Sequence, residues 1–331
     1  MRPTISDVAK QSGVSTATVS RIINGQSGYT EETRQKVLNI IQEIGYKPNA
    51  IARGLVNKHT NTIGVLLPSI SSRLASVLLE GIENTAHHLD YSTIICNTER
   101  DGNRTIEYLN VLSEKQVDGI IITSEWLKDV YEEALVAMKI PVVLVLTVSS
   151  HSQIPYIKLD DKQAAYQATK YLIEKGHKEI GMISGSEDDK IAGLPRIEGY
   201  KQALADNGLT ISEDRIVYGD FAYKSGIMCM EELYRKLPDL SAVFAASDEM
   251  AVGALTYAYK KGIKVPDTLS VIGYDDTQDA EMAIPPLTTV HQPVYEMGQR
   301  SVEMLFSGKE TTESVIMPHH IVERDSVRRI E

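Results

Sequence analysis

Cysteine is almost absent from this chain: two residues in 331, Cys96 and Cys229, lie far apart in apolar surroundings. Two such thiols build no disulfide framework and have no metal-ligand spacing, so they read as buried thiols in a reducing compartment. Long hydrophobic runs are missing too. The opening residues, MRPTISDVAK, hold no apolar stretch of the secretory kind, and no later segment approaches the roughly 18 apolar residues of a membrane span. A cytoplasmic protein without membrane contact is expected. Catalytic signatures are lacking as well: there is no Gly-x-Ser-x-Gly elbow, no glycine-rich phosphate loop and no His/Cys cluster with metal spacing. His87 and His88, like His319 and His320, are adjacent pairs that do not share one face of a helix or strand, and read as surface or loop histidines. No enzyme, cofactor or metal is expected.

Positive charge is scarce overall, with 34 basic residues against 45 acidic for a net charge of −11. Its distribution matters more than its sum. Residues 1–58 carry eight basic and four acidic side chains, a net +4, and the remainder carries −15. A small basic head therefore precedes a large acidic body, and such a head can meet phosphates while the body does something else. At 42% hydrophobic residues and 24% charged, the chain can bury a large core and exceeds one typical domain.

The head reads as three short helices. TISDVAKQSG starts on Thr4 as N-cap with Asp7 three residues on, close to a capping box, and Gly13 supplies the left-handed turn that ends it. Ser15 caps the next helix at once. Ile5, Val8, Val14, Val19 and Ile22 fall where two helices crossing at a tight turn must meet, with small Ala9 at the closest approach. A third helix, EETRQKVLNIIQEIG, is capped by Thr30, carries Glu31 and Glu32 in its first turn, offers Val37, Leu38, Ile41 and Ile44 to the core, and stops at Gly45. This is helix-turn-helix spacing. It explains why STATVSRIIN has little oil and many short polar groups: the second helix of that motif lies in the major groove. Thr16 and Ala17 sit where they can touch a thymine methyl or base edge, and Arg21 is long enough to pair with guanine. Ser15, Thr18, Ser20 and Asn24 suit phosphates, which fix register without reading sequence; Thr4 and Thr30, at helix starts, join the DNA-facing candidates.

The next segment, YKPNAIARGLVNKHT, is broken by Pro48, and Asn49 can cap a helix of about two turns, too short to stand alone in water. With ISDVAKQSGVSTATVSRIINGQ and YTEETRQKVLNIIQEIGYKPNAIARGL in view, the chain resembles the lactose/galactose repressor (LacI/GalR) family, in order from Thr4 to RDSVRRI near the C-terminus. The resemblance implies a hinge helix that folds on operator DNA as a dimeric pair and wedges a leucine, here Leu55, into the minor groove. Asn49, Ala52, Arg53 and Leu55 are the hinge candidates. It also implies a homodimer on a palindromic operator, and the absence of a heptad tail argues against the tetramer of the lactose repressor.

The body is legible from its pattern. Apolar runs TIGVLLP, STIICNT, GIIITS, PVVLVLT, EIGMISG, AVFAASD and LSVIGYDD alternate with helical patterns such as ASVLLEGIENTAHHL, AAYQATKYLIEKG and EMAVGALTYAYKKG. That alternation means α/β architecture: parallel sheets covered by helices on both faces, in two lobes. The resemblance adds a type I periplasmic-binding-protein-like core. The expected layout is a helix-turn-helix domain at 1–47, a hinge at 48–59 and an effector-binding, dimerising core at 60–331. Within the core, an N-lobe takes about 60–160 plus 290–320, and a C-lobe about 161–289 plus 321–331.

Open parallel sheets bind ligands beyond the carboxyl ends of their strands, so the cleft between the lobes is the expected site. Ser69, Arg196, Phe221, Ser247, Asp248 and Asp275 lie at strand ends or on loops facing it. An arginine with carboxylates and one aromatic ring suits a polyhydroxylated ligand, and the family commonly uses the positions of Arg196, Phe221 and Asp275 for its effector. A second reading has the carboxylates capping helices and Arg196 bridging the lobes. Several positions depart from the family pattern. SISSRLASVLLEGI has no aromatic pair, PVVLVLTVS ends in Leu146 and Thr147 where an aspartate is usual, and Ser247 replaces an asparagine. Arg73 and Lys190 are therefore candidates for selecting a phosphorylated or acidic effector, with a solvated loop as the other reading for Arg73. The catabolite-control members of the family answer to a phosphorylated carrier protein, and that corepressor is a possible partner, but Glu303 stands where an arginine would help hold it. The favoured reading is a regulator controlled by a sugar-like metabolite or a corepressor. A solute-binding sugar receptor without a DNA role, and a sugar or nucleoside enzyme, are the alternatives.

Overall fold

The computed structural model describes residues 3–46, 59–99, 102–124, 126–149, 154–307 and 313–330. The chain divides into two units, Met1–Thr60 and Asn61–Glu331.

The first unit holds α1 (Ile5–Ser12), α2 (Thr16–Ile23) and α3 (Glu31–Ile44). Thr4 makes a complete capping box with Asp7, and left-handed Gly13 ends α1 two residues before Ser15 caps α2. The turn is thus forced by cap chemistry at both ends. Val8, Ala9, Val19, Ile22 and Val37 form the core, with Ile5, Val14, Leu38, Ile41 and Ile44 packed around them.

The second unit contains two six-stranded sheets. The first is drawn from β1 (Thr62–Leu67), β2 (Ser92–Asn97), β3 (Gly119–Thr123), β4 (Val142–Val145), β5 (Tyr156–Lys158) and β11 (Val315–Ile316), in the order β11-β5-β4-β3-β1-β2. The second is drawn from β6 (Ile180–Ser184), β7 (Ile216–Tyr218), β8 (Ala242–Ala245), β9 (Ser270–Asp275), β10 (Thr288–His291) and β12 (His320–Val322), in the order β12-β10-β9-β8-β6-β7. Among the described residues every pairing is parallel except β10 with β12. The all-parallel expectation therefore fails at this edge, where a three-residue strand returns beside β10.

Helices cover both faces. In chain order they are α4 (Arg73–His88), α5 (Thr105–Glu114), α6 (Asp129–Met138), α7 (Asp161–Glu174), α8 (Gly193–Asp206), α9 (Tyr223–Lys236), α10 (Asp248–Lys261), α11 (Gln278–Met282) and α12 (Val294–Phe306). The backbone passes between the lobes three times: from β5 to α7, from β10 to α12, and from β11 to β12. Strands β1, β3 and β6 are buried along nearly their whole length, which is why they read as continuous apolar runs rather than alternating ones. Both cysteines are free and buried, and burial pushes each thiol up to about 11, so neither is a reactive thiolate. No helix among the described residues is long and apolar enough to cross a membrane.

In the first lobe, α12 packs on α4 with backbones close enough that a Cβ on Gly81 would collide with the Tyr295 carbonyl, and one on Gly298 with that of Leu78. Because the obstacles are backbone atoms, neither helix can yield by a rotamer change. Gly81→Ala is expected to destabilise the second unit by about 1–3 kcal/mol, read as a lower midpoint in urea unfolding; an unchanged midpoint would contradict this packing.

Candidate functional site

On α2, Thr16, Ala17, Arg21 and Asn24 are exposed and, with half-buried Ser20, fall on the side opposite Val19 and Ile22. The other candidates are partly engaged within the head. Ser15 Oγ accepts from the Thr18 backbone N–H at 3.1 Å and lies 2.9 Å from Thr18 Oγ1. Thr30 Oγ1 accepts from the Thr33 N–H at 3.2 Å, and the Thr4 N–H donates to Asp7 Oδ2 at 2.8 Å. These side chains fix three helix starts, so they orient the exposed edge. Asn49, Ala52, Arg53 and Leu55 lie outside the described residues.

The second unit carries a cavity of about 750 Å³ between its two lobes. It opens where topology predicts: Leu67 ends β1 and Ser69 follows it, Thr123 ends β3 and Ser124 follows it, and Leu146 follows β4. On the facing lobe, Ser186 follows β6, Phe221 follows β7, Ser247 follows β8 and Asp275 ends β9. Four of these residues, Ser124, Leu146, Phe221 and Asp275, have positive φ values of 50°, 56°, 65° and 118°. Such non-glycine conformations are disfavoured, and their gathering around one cavity, two on each lobe, shows backbone geometry subordinated to the placement of side chains. Phe221 is held there by Ser247, whose hydroxyl donates to the Phe221 carbonyl at 3.0 Å, and its ring lies against Gly185, where any Cβ would displace it.

Arg196 forms the centre of the second-lobe wall. It is 5% exposed, donates from Nε and Nη2 to Asp161 Oδ1 at 3.0 and 2.9 Å, and from Nη1 to the Ala246 carbonyl at 2.6 Å. Its guanidinium carbon lies 3.6 Å from the centroid of the Tyr274 ring and 5.9 Å from that of Phe221. Three of five N–H donors are used, and those remaining on Nη1 and Nη2 can address a ligand. Beside it, Asp275 accepts from Gln292 Nε2 at 2.6 Å. Burial pushes the Asp275 carboxyl well up, opposed by Arg196 and assisted by Asp248.

Ser69, Lys190, Arg196, Phe221, Ser247 and Asp275 all line the cavity. The structure does not bring Arg73 and Asp248 to it. Asp248 is fully buried and points back against Gly273, accepting from the Thr277 N–H at 2.7 Å, Thr277 Oγ1 at 3.1 Å and Thr289 Oγ1 at 2.6 Å. Its neighbour Glu249 lines the cavity instead. Arg73 sits at the mouth, where its backbone N–H donates to Glu249 at 3.3 Å and its Nε to Asp279 at 3.2 Å. It fastens one lobe to the other and is not a lone cation awaiting an anion. Lys190 makes the counterpart contact from the opposite lobe, its Nζ 5.6 Å from the Trp126 ring centroid. Trp126, Asp161, Glu249 and Gln292 are lining residues that sequence reasoning missed. The signal for Trp126 was available: it is the only tryptophan in the chain and follows an apolar strand run. Among the described residues no cluster of three or more His, Cys, Asp or Glu could hold a metal.

Comparison with known proteins gives one answer along the whole chain. Residues 4–49 match bacterial regulatory proteins of the lacI family, and residues 60–325 match periplasmic binding proteins and the sugar-binding domain of the LacI family. Catabolite control protein A of Priestia megaterium is 40% identical over 332 residues, covering 99% of this chain and 100% of that protein. Among solved structures, the lac repressor dimer bound to operator and the anti-inducer ONPF superposes with a TM-score of 0.88 at 29% identity, covering 99% of this chain and 100% of that one. The complex of the transcriptional regulator CelR with cellobiose gives 0.74 at 31% identity, covering 98% and 100%.

Burial first, and Asp276 beside it, push the Asp248 carboxyl up, against the lowering effect of its threonine donors. The folded protein therefore holds a proton that the unfolded chain releases. The stability this adds is full below the unfolded value of about 4 and is lost as pH rises through the folded value. Asp248→Asn is expected to flatten the fall in unfolding free energy between about pH 4.5 and pH 8, measured by urea unfolding at stepped pH; an equal or steeper fall in the variant would contradict this assignment.

Proposed function

Because the chain belongs to the LacI family of bacterial regulatory proteins, and is a DNA-binding transcriptional regulator with an effector-binding core, we propose that it acts in the cytoplasm as a homodimeric repressor of a palindromic operator. The working parts divide at 1–47 for the operator-reading head, 48–59 for the hinge and 60–331 for the core. The observation that carries this reading is the pairing, in one chain, of an exposed polar edge on α2 with a two-lobed cavity rimmed by strand ends.

In the head, Thr16, Ala17 and Arg21 address base edges in the major groove, Arg21 by two parallel hydrogen bonds to a guanine. Ser15, Thr18, Ser20 and Asn24 take phosphates, as do the helix starts at Thr4 and Thr30, where backbone N–H groups and the helix dipole favour an anion. Asn49, Ala52 and Arg53 orient the hinge, and Leu55 wedges into the central base step, trading unstacking energy for a bent site with more contacts. Two copies related by a twofold axis read an inverted repeat.

In the core, Ser69, Lys190, Arg196, Phe221, Ser247 and Asp275 enclose a small effector. Arg73 to Asp279 and Glu249, and Lys190 to Trp126, are the contacts through which ligand occupancy alters the spacing of the lobes. A solute receptor shares the core but has no use for the head, and none of the lining residues makes the nucleophile and base pair an enzyme of this fold would need. Control by a phosphorylated carrier protein is disfavoured at Glu303, an exposed carboxylate held by Arg300 at 3.0 Å, which would repel a phosphate.

Selection of random duplexes by the full-length protein, read by sequencing, is expected to return a palindrome with a central pyrimidine–purine step. On that site Arg21→Ala should cost about 1–3 kcal/mol and relax preference at one position per half-site. Leu55→Ala should weaken binding to the palindrome while leaving non-specific binding in place. No enriched motif, or unchanged affinities in both variants, would overturn the reading.

A further inference from the structure

Histidines stand on two of the three passages between the lobes. His291 ends β10, where the chain leaves for α12, and His319 and His320 lie where it runs from β11 to β12. The passage from β5 to α7 supplies Asp160 and Asp161. Met317, two residues before His319, donates its backbone N–H to the Lys158 carbonyl at 2.8 Å, so the third passage leans on the first. Among the described residues no histidine lines the cavity itself.

His291 and His320 are directly opposite in the antiparallel pairing of β10 with β12, and their ring centroids are 4.7 Å apart. Nδ1 of His291 lies 2.8 Å from Asp276 Oδ2, while Oδ1 of that carboxylate accepts from Arg324 Nη2 at 2.7 Å. Arg324 already balances the charge of Asp276, so two protonated rings would face each other with no carboxylate to spare. The ladder they would strain is three residue pairs long, and β12, at the edge of its sheet, has no other among the described residues.

His319 is placed differently. Its Nε2 is shielded from solvent and has no hydrogen-bond partner among the described residues, a costly position for a polar atom and a worse one for a charge. Burial first pulls the His319 imidazole below its ordinary pKa; Asp160 and Asp161 oppose this and His320 reinforces it. Asp161 is already shared by Arg196 and Lys158, whereas Asp160 caps α7 through Oδ1 and has its second oxygen to offer. The observed joint thus suits a neutral His319. A rearrangement that gives Nε2 water or that oxygen binds the proton more tightly, and acid selects it by up to about tenfold per pH unit. We propose that the passages between the lobes form a proton-sensitive joint, in which acid charges His319 and the His291–His320 pair, turns the third passage towards Asp160 and alters the spacing of the lobes. The device belongs to the core alone and does not depend on the regulator reading.

Trp126, the only tryptophan, reports that spacing, because Lys190 of the opposite lobe lies 5.6 Å from its ring centroid. Its emission, followed on the full-length protein without ligand from about pH 8 to pH 5, is expected to change reversibly as the joint takes up protons. Burial also pushes up the carboxyls of Asp248 and Asp275, and these titrate alike in wild type and variants, so the differences between proteins decide. His320→Gln, a change at an exposed position, should move the transition to higher pH by about 0.5, since the neighbouring positive charge is gone. His319→Gln should remove most of the transition. A wild-type profile with no transition between about pH 7 and pH 5, or either variant titrating as the wild type does, overturns the proposal. Should His319→Gln fail to fold, the direction of the His320→Gln shift decides alone: upward supports the joint, and no shift or a downward one overturns it.

Discussion

Arg196 against Asp161 is the contact on which the core depends. Both groups are buried, at 5% and 7% exposure, and an unpaired charge there would be prohibitive, so each obliges the other to stay. Asp161 stands where the chain leaves β5 and enters α7, and Lys158 at the end of β5 reaches the same carboxylate. The Tyr274 ring lies under the guanidinium and its hydroxyl reaches Asp161 at 3.3 Å. One electrostatic node therefore joins the first passage between the lobes, two helices and the ligand wall. A ligand that takes up the remaining N–H groups of Arg196 is in contact with the element that sets how the lobes are joined.

The rest of the cavity follows from topology. Parallel strands place all their carboxyl ends on one edge of a sheet, and two such edges face each other across the cleft. Arg73 and Lys190 cross it in opposite directions, one to carboxylates and one to an aromatic face. Both are exposed contacts of modest individual strength, which suits a mouth that must open. The strong, buried pairing lies at the passage between lobes, and the weak, solvated pairings lie at the rim.

What was legible in the sequence tracks burial. Strands such as β3 and β6, covered on both faces, announce themselves as apolar runs, and the head's helices are marked at both ends by caps and glycines that can do little else. The short strands β5, β7, β10, β11 and β12, two to four residues each, carry no periodic signal and exist because longer neighbours offer them an edge. In the site, residues that merely follow a strand could be placed in the cleft by position. Asp248 could not be told from them, since only the structure shows its side chain turned onto Gly273 and two threonines rather than outward. Gln292 escaped notice for the opposite reason: it lies on a connection whose path depends on the packing of distant elements, whereas Trp126, the only tryptophan, carried a signal in the sequence.

The three passages between lobes also set an order of manufacture. The first lobe needs α12 against α4 and β11 against β5, and the second needs β12 against β10, so neither sheet is complete until residues beyond 310 have been synthesised. The head has no such debt to later residues, since its five-residue core lies wholly within the first 40. On a ribosome the reading head can be native while both lobes still expose open strand edges. Nascent chains would then pass through a stage able to touch DNA before any cleft exists to govern them.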